Sequence, residues 1–341
     1  MDSKVIKNGE LNEFVQWHDT DGNIINASDG GIIYVDGVYH WYGMALRPLP
    51  FDGAGKGGQT TTCGIVMYAS KDLYQWEYEG VILACSDDPA SELHGPMRFE
   101  RPKIIYNART KQYVLWCHYI KYPGDHGFTK GTAEAGVAVC DAVNGAYQWK
   151  GYARPIDDKG YVRDCTLYQD QDGSAYFIYD RQTGDSWDGD DVDRCIHIVK
   201  LSDDYLSFSK EYKRIDAAYW REAAALVHHD GYYFMITSDL TSWDFNQAKY
   251  FRAKSLLGEW EDMGDPCVGD EDHLTFHSQG TYIFKVEGKE NQYIFMAERH
   301  NVNNFLNCSY IWLPIQFGKD HTLRLCYKQE FQIENKELFC F

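Results

Sequence analysis

The chain has 341 residues, a formal net charge of −18, and an aromatic fraction of 16% that includes 26 tyrosines and 10 tryptophans. This length allows one large domain or two ordinary ones. No proline-rich, serine-rich or low-complexity segment marks a linker, so we predict a single domain over residues 1–341. The negative charge argues against nucleic acid and anionic membranes as partners, and it is compatible with neutral ligands such as sugars.

The sequence also gives an expectation for the cellular compartment. No apolar run reaches the roughly 18 residues of a membrane span, and the first residues lack the apolar core of a signal peptide. Ten cysteines are present without a C-x-x-C pair. We therefore expect a cytoplasmic protein with reduced thiols, with a secreted mature form as the alternative. The oligomeric state is left open.

Five weakly similar units follow one another along the chain. Their first apolar strands are predicted to begin near Ile32, Lys103, Cys165, Ala223 and Gly280. A turn and a tyrosine-rich second strand follow, and the Asp-Gly turns at Asp36, Asp172 and Asp230 are a strong hairpin signal. Four short strands repeated five times predict an all-β, five-bladed β-propeller with four antiparallel strands per blade. A β-sandwich is the alternative.

One polar residue recurs at the start of every unit. These residues are Asp29, Glu100, Asp164, Glu222 and Gln279. Closure of a propeller brings the starts of its innermost strands to one face near the axis, so four acids and an amide are expected to converge on one pocket. Paired carboxyl groups on opposite sides of a bond are the groups that glycoside hydrolysis requires.

At these residues the chain resembles glycoside hydrolase family 43 and its five-bladed propeller relatives, and most closely the exo-β-1,3-galactanase branch. The likeness extends from about Asn26 to about Phe331. Its carriers are Ile25-Asn-Ala27 with Gly30-Gly31, Glu100-Arg-Pro-Lys-Ile-Ile-Tyr-Asn107, Arg163-Asp-Cys-Thr-Leu167, Arg221-Glu-Ala-Ala-Ala225, Ser255-Leu-Leu-Gly258, Thr275-Phe-His-Ser-Gln279 and Tyr310-Ile-Trp-Leu-Pro314.

The resemblance implies three catalytic acids: Asp29 as the base, Asp164 as the group that modulates a pKa, and Glu222 as the proton donor. In the galactanase branch the base position is usually glycine, and a glutamine in a Ser-Gln motif, here Gln279, takes part in positioning or activating the water. Since this chain has both Asp29 and Gln279, either can handle the water. Burial and Asp164 are expected to raise the pKa of Glu222.

Sugar binding is assigned to a second set of residues. Glu100 and Arg101 are expected to contact sugar hydroxyls, and Trp220 and Trp243 to stack on sugar faces. The structural alternatives are an ion pair of Glu222 with Arg221 or another arginine, and an ion pair of Glu100 with Arg101 or Arg163.

No cofactor and no metal are predicted. Many relatives use a histidine near the axis to hold a central cation, and Phe276 replaces it here, with His277 beside it. An acid-rich loop, with Asp185, Asp188, Asp190, Asp191 and Asp193, is interpreted as solvated surface because it lacks the glycine placement of calcium loops.

The predicted activity is that of an exo-acting glycoside hydrolase which releases a terminal galactose-type sugar from a β-1,3-galactan-like oligosaccharide or polysaccharide by inversion. An α-L-arabinofuranosidase or β-xylosidase of the same family is one alternative. A carbohydrate-binding propeller without catalysis is the other.

Overall fold

The computed structural model describes residues 4–48, 60–121, 133–156, 160–184 and 192–339. The sequence also predicts a glycine-rich loop at 53–58 and a loop with Tyr122 and His126 that covers the rim of the ring, and these residues lie outside the described ones. The same holds for Asp185, Asp188, Asp190 and Asp191 of the acid-rich loop. Neither of the two short 3₁₀-helices in the described part, Phe305–Asn307 and Lys336–Phe339, is long enough to cross a membrane.

Five antiparallel sheets follow one another in the order that the sequence predicts, and we number them as blades I to V. Blade I comprises Ser28–Val35, Val38–Pro48, Thr60–Ser70 and Glu77–Ala84. Blade II comprises Met97–Asn107, Gln112–Lys121, Glu134–Cys140 and Gln148–Ala153. Blade III comprises Tyr161–Gln169, Ala175–Thr183, Asp193–Leu201 and Phe208–Tyr219.

The last two blades complete the ring. Blade IV comprises Arg221–His229, Tyr232–Asp239, Lys249–Ala253 and Glu261–Asp262. Blade V comprises Gln279–Lys285, Tyr293–Arg299, Ser309–Phe317 and Leu323–Cys326, with Cys267–Val268 added in parallel at its outer edge. Strand Ile6–Lys7 pairs with Glu330–Phe331, so the two ends of the described chain meet beside the first and last blades.

The ring closes through its innermost strands. Each of these strands contacts the innermost strands of the two neighbouring blades, including that of blade V against that of blade I. Five apolar clusters fill the five interfaces between blades, one per interface. Burial of these faces supplies the main driving force for folding. The predicted all-β, five-bladed propeller is confirmed, and the β-sandwich alternative is wrong.

Every innermost strand begins earlier than predicted, so the recurring polar residues lie within the strands instead of before them. The strand alternation is broken at these residues by register shifts, which lie between Ser28 and Gly31, Glu100 and Lys103, Val162 and Cys165, Glu222 and Ala225, and Gly280 and Tyr282. β-Bulges of this kind redirect side chains. Because the bulge interrupts the alternation of apolar and polar residues, the sequence pattern predicts a start for each strand that is too late.

Gly30 lies in the bulge of blade I, where the backbone of the next strand comes very close. A Cβ atom at residue 30 would lie 1.6 Å from the carbonyl oxygen of Tyr42. We expect Gly30→Ala to lower the free energy of unfolding by about 1–3 kcal/mol, since the strands must separate to admit the methyl group. Urea unfolding measures this loss. Gly95→Ala is the control, because its methyl group would lie 3.7 Å from the nearest atom, the Met97 nitrogen. Equal urea midpoints for the two variants would contradict the close approach of the strands at Gly30.

Candidate active site

We call the five recurring residues the polar ring: Asp29, Glu100, Asp164, Glu222 and Gln279. Arg101, on the innermost strand of blade II, lies at its centre. Its backbone is left-handed, with φ of 54°, and its side chain is 3% exposed. Nη2 donates to Oε1 of Gln279 at 2.6 Å and forms an ion pair with Oδ2 of Asp164 at 2.9 Å, while Nη1 donates to the Gly280 carbonyl at 2.5 Å. Arg101 therefore links blades II, III and V and serves as an internal anchor.

Asp29 lies on the blade I side of this guanidinium. Its Oδ1 atom is 3.7 Å from Nε of Arg101, and its backbone is left-handed, with φ of 59°. The buried Lys103 ammonium donates to the Asp29 carbonyl oxygen at 2.9 Å and holds the bulge in place. Burial raises the pKa of Asp29, and Arg101 opposes that shift.

Glu222, on the innermost strand of blade IV, is buried between a cation and an amide. Nη2 of Arg194 lies 3.1 Å from its Oε2 atom, and Nε2 of Gln279 donates to its Oε1 atom at 3.3 Å. Burial, followed by the charge of Asp164, raises the pKa of Glu222 to about 8, although Arg194 opposes this. The expected rise is thus confirmed. The alternative of an ion pair with an arginine is confirmed for Arg194, which lies on blade III. Arg221 is not the partner, since it donates to Thr237 and the Gln247 carbonyl.

The pKa of Glu222 sets an expected alkaline limit for a reaction that needs its proton. Activity should fall above about pH 8, as Glu222 ionises. Asp164→Asn removes a negative charge that disfavours ionised Glu222, so the pKa should drop and the alkaline limb of kcat/KM should move to lower pH. The control is Asp203→Asn, whose side chain is 83% exposed. An unmoved limb in Asp164→Asn would contradict this coupling.

Glu100 is held by residues that the sequence did not single out. Nη1 of Arg98 donates to its Oε1 atom at 2.9 Å, and Nδ1 of His118 lies 3.2 Å from its Oε2 atom. Although burial acts to raise the pKa of Glu100, His118 and Arg98 lower it to about 2. The predicted ion-pair partners Arg101 and Arg163 are wrong, because the bulge turns Arg101 toward Asp164 and Arg163 donates to Gln182.

The two predicted tryptophans differ in their surroundings. Trp243 packs edge-on against His300 and Phe305, with ring centroids 4.9 and 5.1 Å away, and the guanidinium of Arg98 lies 5.6 Å from its ring. Trp220 is half-buried, and its one ring partner in the described part of the chain is Tyr219, at 5.6 Å. Trp243 thus lies against Arg98, one of the two residues that hold Glu100. Trp220 adjoins the site through its place two residues before Glu222.

Several site residues were missed by the sequence analysis. They are Arg98, His118, Asp180, Arg194, Ser238, Glu298 and His300. Arg194 also hydrogen-bonds the fully buried Asp180. Most of them lie on second or third strands, where no recurring polar position marks them. An acid or arginine inside an otherwise apolar strand, such as Asp180 or Glu298, is the signal that could have revealed them.

The opposite mouth of the ring has a different character. A cavity of about 750 Å³ opens there between aliphatic residues and six tyrosines of the innermost and second strands. Asp36 is its one carboxyl residue among the lining side chains. The acids and guanidinium groups that could act on a bond are therefore gathered at the other face.

The sequence pattern of glycosyl hydrolases family 43 matches residues 55–323 of the chain. The chain belongs to glycoside hydrolase family 43. It is accordingly a glycoside hydrolase, and the predicted resemblance is confirmed. No curated protein sequence matches it.

Three solved structures show which family 43 members this hydrolase is similar to. A family 43 β-1,3-galactosidase with galactodeoxynojirimycin is 34% identical, with a TM-score of 0.80 over 93% of this chain and 99% of that one. A second β-1,3-galactosidase is 30% identical, with a TM-score of 0.81 over 96% of this chain and 63% of that one. An exo-β-1,3-galactanase from Clostridium thermocellum is 30% identical, with a TM-score of 0.76 over 96% and 66%.

The central cation of the family does not fit at residue 276, where phenylalanine replaces the histidine of many relatives. Phe276 is 2% exposed there and packs against Tyr327, with ring centroids 5.4 Å apart. A phenyl ring offers no ligand atom. The neighbouring His277 points its Nε2 atom toward Asp272 at 3.2 Å.

Proposed function

We propose that this family 43 hydrolase is exo-acting and releases a terminal galactose-type sugar from a β-1,3-galactan-like glycan with inversion at C1. The observation that carries the proposal is the buried Glu222 carboxyl group, whose pKa of about 8 keeps it protonated at neutral pH beside Gln279. The similarity to β-1,3-galactosidases and to an exo-β-1,3-galactanase supports the choice of sugar and linkage.

The acid step follows from the protonation of Glu222. Its O–H donates to the glycosidic oxygen as the bond to C1 breaks, and the leaving sugar departs with that proton. Asp164 raises the pKa of Glu222 through its charge and is itself fixed by Arg101 at 2.9 Å. Arg194 pairs with the carboxylate that remains after the transfer, at 3.1 Å. The attacking water bonds to C1 and loses one proton to solvent, and solvent returns one proton to the Glu222 carboxylate, which restores the acid.

Water must attack C1 from the side opposite Glu222, and two residues compete for that task. Asp29 belongs to blade I and shares no hydrogen bond or ion pair with Glu222 in the described structure. Arg101 lies beside Asp29, with Nε 3.7 Å from its Oδ1 atom, and it donates on its other side to Gln279. Gln279 is in direct contact with Glu222, and its amide orientation is fixed by Arg101 on one side and Ser238 on the other. In an inverting hydrolase the acid and the water-activating group lie about 6.5–9.5 Å apart. Gln279, whose Nε2 atom donates to Glu222 at 3.3 Å, would therefore have to separate from the acid when a sugar binds.

Attack at the end of a glycan agrees with the closed floor of the site. The axis beneath the acids is filled by Arg101 and Lys103, which are 2% and 1% exposed. A glycan cannot pass along the axis through this floor, and the choice of a terminal sugar rests on the similarity to an exo-β-1,3-galactanase. Glu100, fixed by Arg98 and His118, and the ring of Trp243 supply an acceptor and an apolar face for that sugar. Trp220 is proposed as a second stacking surface near Glu222.

A hydrolysis panel tests the assignment. Purified protein is incubated with β-1,3-galactobiose, β-1,3-galactan, p-nitrophenyl α-L-arabinofuranoside and p-nitrophenyl β-xyloside, and released sugar is measured by anion-exchange chromatography. We expect monomeric galactose from the β-1,3-linked substrates and little release from the other two. Preferred release of arabinose or xylose would identify the other family activities. Saturable galactan binding without any release would identify a binding propeller.

A further inference from the structure

A cluster of metal-ligand side chains lies at the seam where blade V meets blade I. Carboxylate oxygens of Asp29 and Glu298 and a ring nitrogen of His300 lie within 4.8 Å of one another. Their exposed fractions are 1%, 2% and 3%. Asp29 belongs to the innermost strand of blade I, while Glu298 and the adjacent His300 come from the second strand of blade V and its end.

Several polar atoms of this cluster lack partners. Neither ring nitrogen of His300 has a hydrogen-bond partner in the described structure, and Oδ1 of Asp29 has none either. Nε2 of His300 is 3.7 Å from Oε2 of Glu298, which is beyond hydrogen-bonding distance. A buried polar atom without a partner costs about 1–3 kcal/mol. An imidazole buried in this way, facing two carboxylates, indicates that a ligand completes the cluster.

The surrounding residues hold the three side chains in place. The His300 ring lies edge-on to Trp243 at 4.9 Å and nearly parallel to Phe305 at 6.1 Å. Ser28 Oγ donates to Oε2 of Glu298 at 2.9 Å, and the backbone N–H of Asp29 donates to Oε1 at 2.5 Å. Such outer contacts orient metal ligands and leave their other lone pairs available.

A second cluster, formed by Glu100, His118 and Asp164, has a similar composition but a different charge balance. Its two carboxylates are already paired with Arg98 and Arg101, at 2.9 Å in each case. Glu298, by contrast, forms no ion pair with any arginine or lysine of the described residues. Asp29 has Arg101 beside it, with Nε 3.7 Å from its Oδ1 atom. Glu298 is therefore the seam carboxylate whose negative charge a cation would balance.

We propose that Asp29, Glu298 and His300 bind one divalent transition-metal ion of the zinc class. One imidazole and two carboxylates match the nitrogen and oxygen ligands of Zn²⁺ and its neighbours, whereas Ca²⁺ takes six to eight oxygens. A cavity of about 290 Å³, lined in part by Ser28, Glu298 and Cys308, adjoins the cluster and gives room for entry and for water ligands. The ion would join blade I to blade V across the closure of the ring.

Two consequences follow for the molecule. The ion would stabilise the closed ring, since it binds the folded seam and not the separated blades. It would also engage Asp29, which leaves Gln279 to handle the water in the proposed reaction. The proposal does not rest on that reaction, because metal binding is measured without any substrate.

Metal titration tests the site directly. Chelator-treated protein is titrated with Co²⁺ while the visible absorbance is followed, and with Zn²⁺ and Ca²⁺ by calorimetry. We expect one equivalent of Co²⁺ or Zn²⁺ per chain, weaker binding of Ca²⁺, and a rise in Tm with Zn²⁺. His300→Gln and Glu298→Gln should each lower the affinity at least about 100-fold. His197→Gln is the matched control, since His197 is equally buried but lies on blade III, outside both clusters.

The wild-type protein provides a readout that does not depend on variants that fold poorly. Crystals soaked in Zn²⁺ should show an anomalous peak bounded by Asp29, Glu298 and His300. Absence of stoichiometric uptake by the wild type would overturn the proposal. A peak at Glu100 and His118 instead, unchanged affinity in a folded His300→Gln variant, or a preference for Ca²⁺ would also overturn it.

Discussion

Glu222→Gln should lower kcat on β-1,3-galactobiose by about 10²–10⁴-fold, since the amide keeps the shape of the carboxyl group but has no acidic proton for the leaving oxygen. The fold should persist, because the side chain keeps its size and the new amide oxygen can still accept a hydrogen bond from Arg194. The contact with Gln279 is lost where the amide NH2 faces it. Initial rates of galactose release measure the effect, and circular dichroism checks the fold.

The matched control is Glu259→Gln, because the Glu259 side chain is 92% exposed and its ion pair among the described residues is with Lys213. Its rates should equal those of the wild type. An aryl β-galactoside with an acidic phenol as leaving group needs little protonation, so the loss in Glu222→Gln should be much smaller on that substrate. Near-normal turnover of β-1,3-galactobiose by Glu222→Gln, or an equal loss on both substrates, would contradict the role of proton donor.

Arg101→Met should have the largest expected effect on stability, with a loss of about 3–5 kcal/mol in the free energy of unfolding. The guanidinium is buried, and its removal leaves the Asp164 carboxylate and the Gln279 amide without their shared partner. Urea unfolding measures the loss. Arg109→Met is the control, since Arg109 pairs with Asp203 at a side-chain exposure of 70%.

The same variant should also change the chemistry of the site. Arg101 lowers the pKa of Glu222 through its charge, so its removal should shift the alkaline limb of kcat/KM to higher pH. At the same time kcat/KM should fall, because Asp164 and Gln279 lose their fixed positions. A variant with wild-type stability and an unshifted pH profile would show that Arg101 does not anchor the ring.

The sequence was sufficient to predict the architecture and the polar ring, because both follow from a repeat. Asp29, Glu100, Asp164, Glu222 and Gln279 occupy equivalent positions in successive units, and closure of the ring brings equivalent positions together. The raised pKa of Glu222 was also foreseeable, since alanines follow it directly and Asp164 was expected nearby.

The partners of these acids could not be predicted in the same way. Arg194 and Asp180 belong to the third and second strands of blade III and pair with each other. Arg194 contacts Glu222 of blade IV only because adjacent blades pack together. Arg101 was expected to contact sugar, yet its left-handed backbone, with φ of 54°, turns the side chain inward to Asp164 and Gln279. Bulges of this kind carry no clear signature in residue type, so the direction of each side chain required coordinates.

The seam between blades I and V shows the same limit. Asp29 is part of the repeat, but Glu298 lies late in the sequence on the second strand of blade V, and His300 follows directly after that strand. Phe276 occupies the position of the family's histidine, so the sequence predicts no metal. The structure instead brings His300 close to Asp29 and Glu298, and both ring nitrogens of His300 are buried without hydrogen-bond partners in the described structure.

Proton NMR of the sugar first released from β-1,3-galactan tests the central claim most directly. Fresh enzyme and substrate are mixed in the spectrometer, and the anomeric signals are followed before mutarotation equalises them. We predict that α-galactose appears first, because water attacks from the face opposite Glu222 in a single displacement. Initial formation of β-galactose, or no release of galactose at all, would contradict the account.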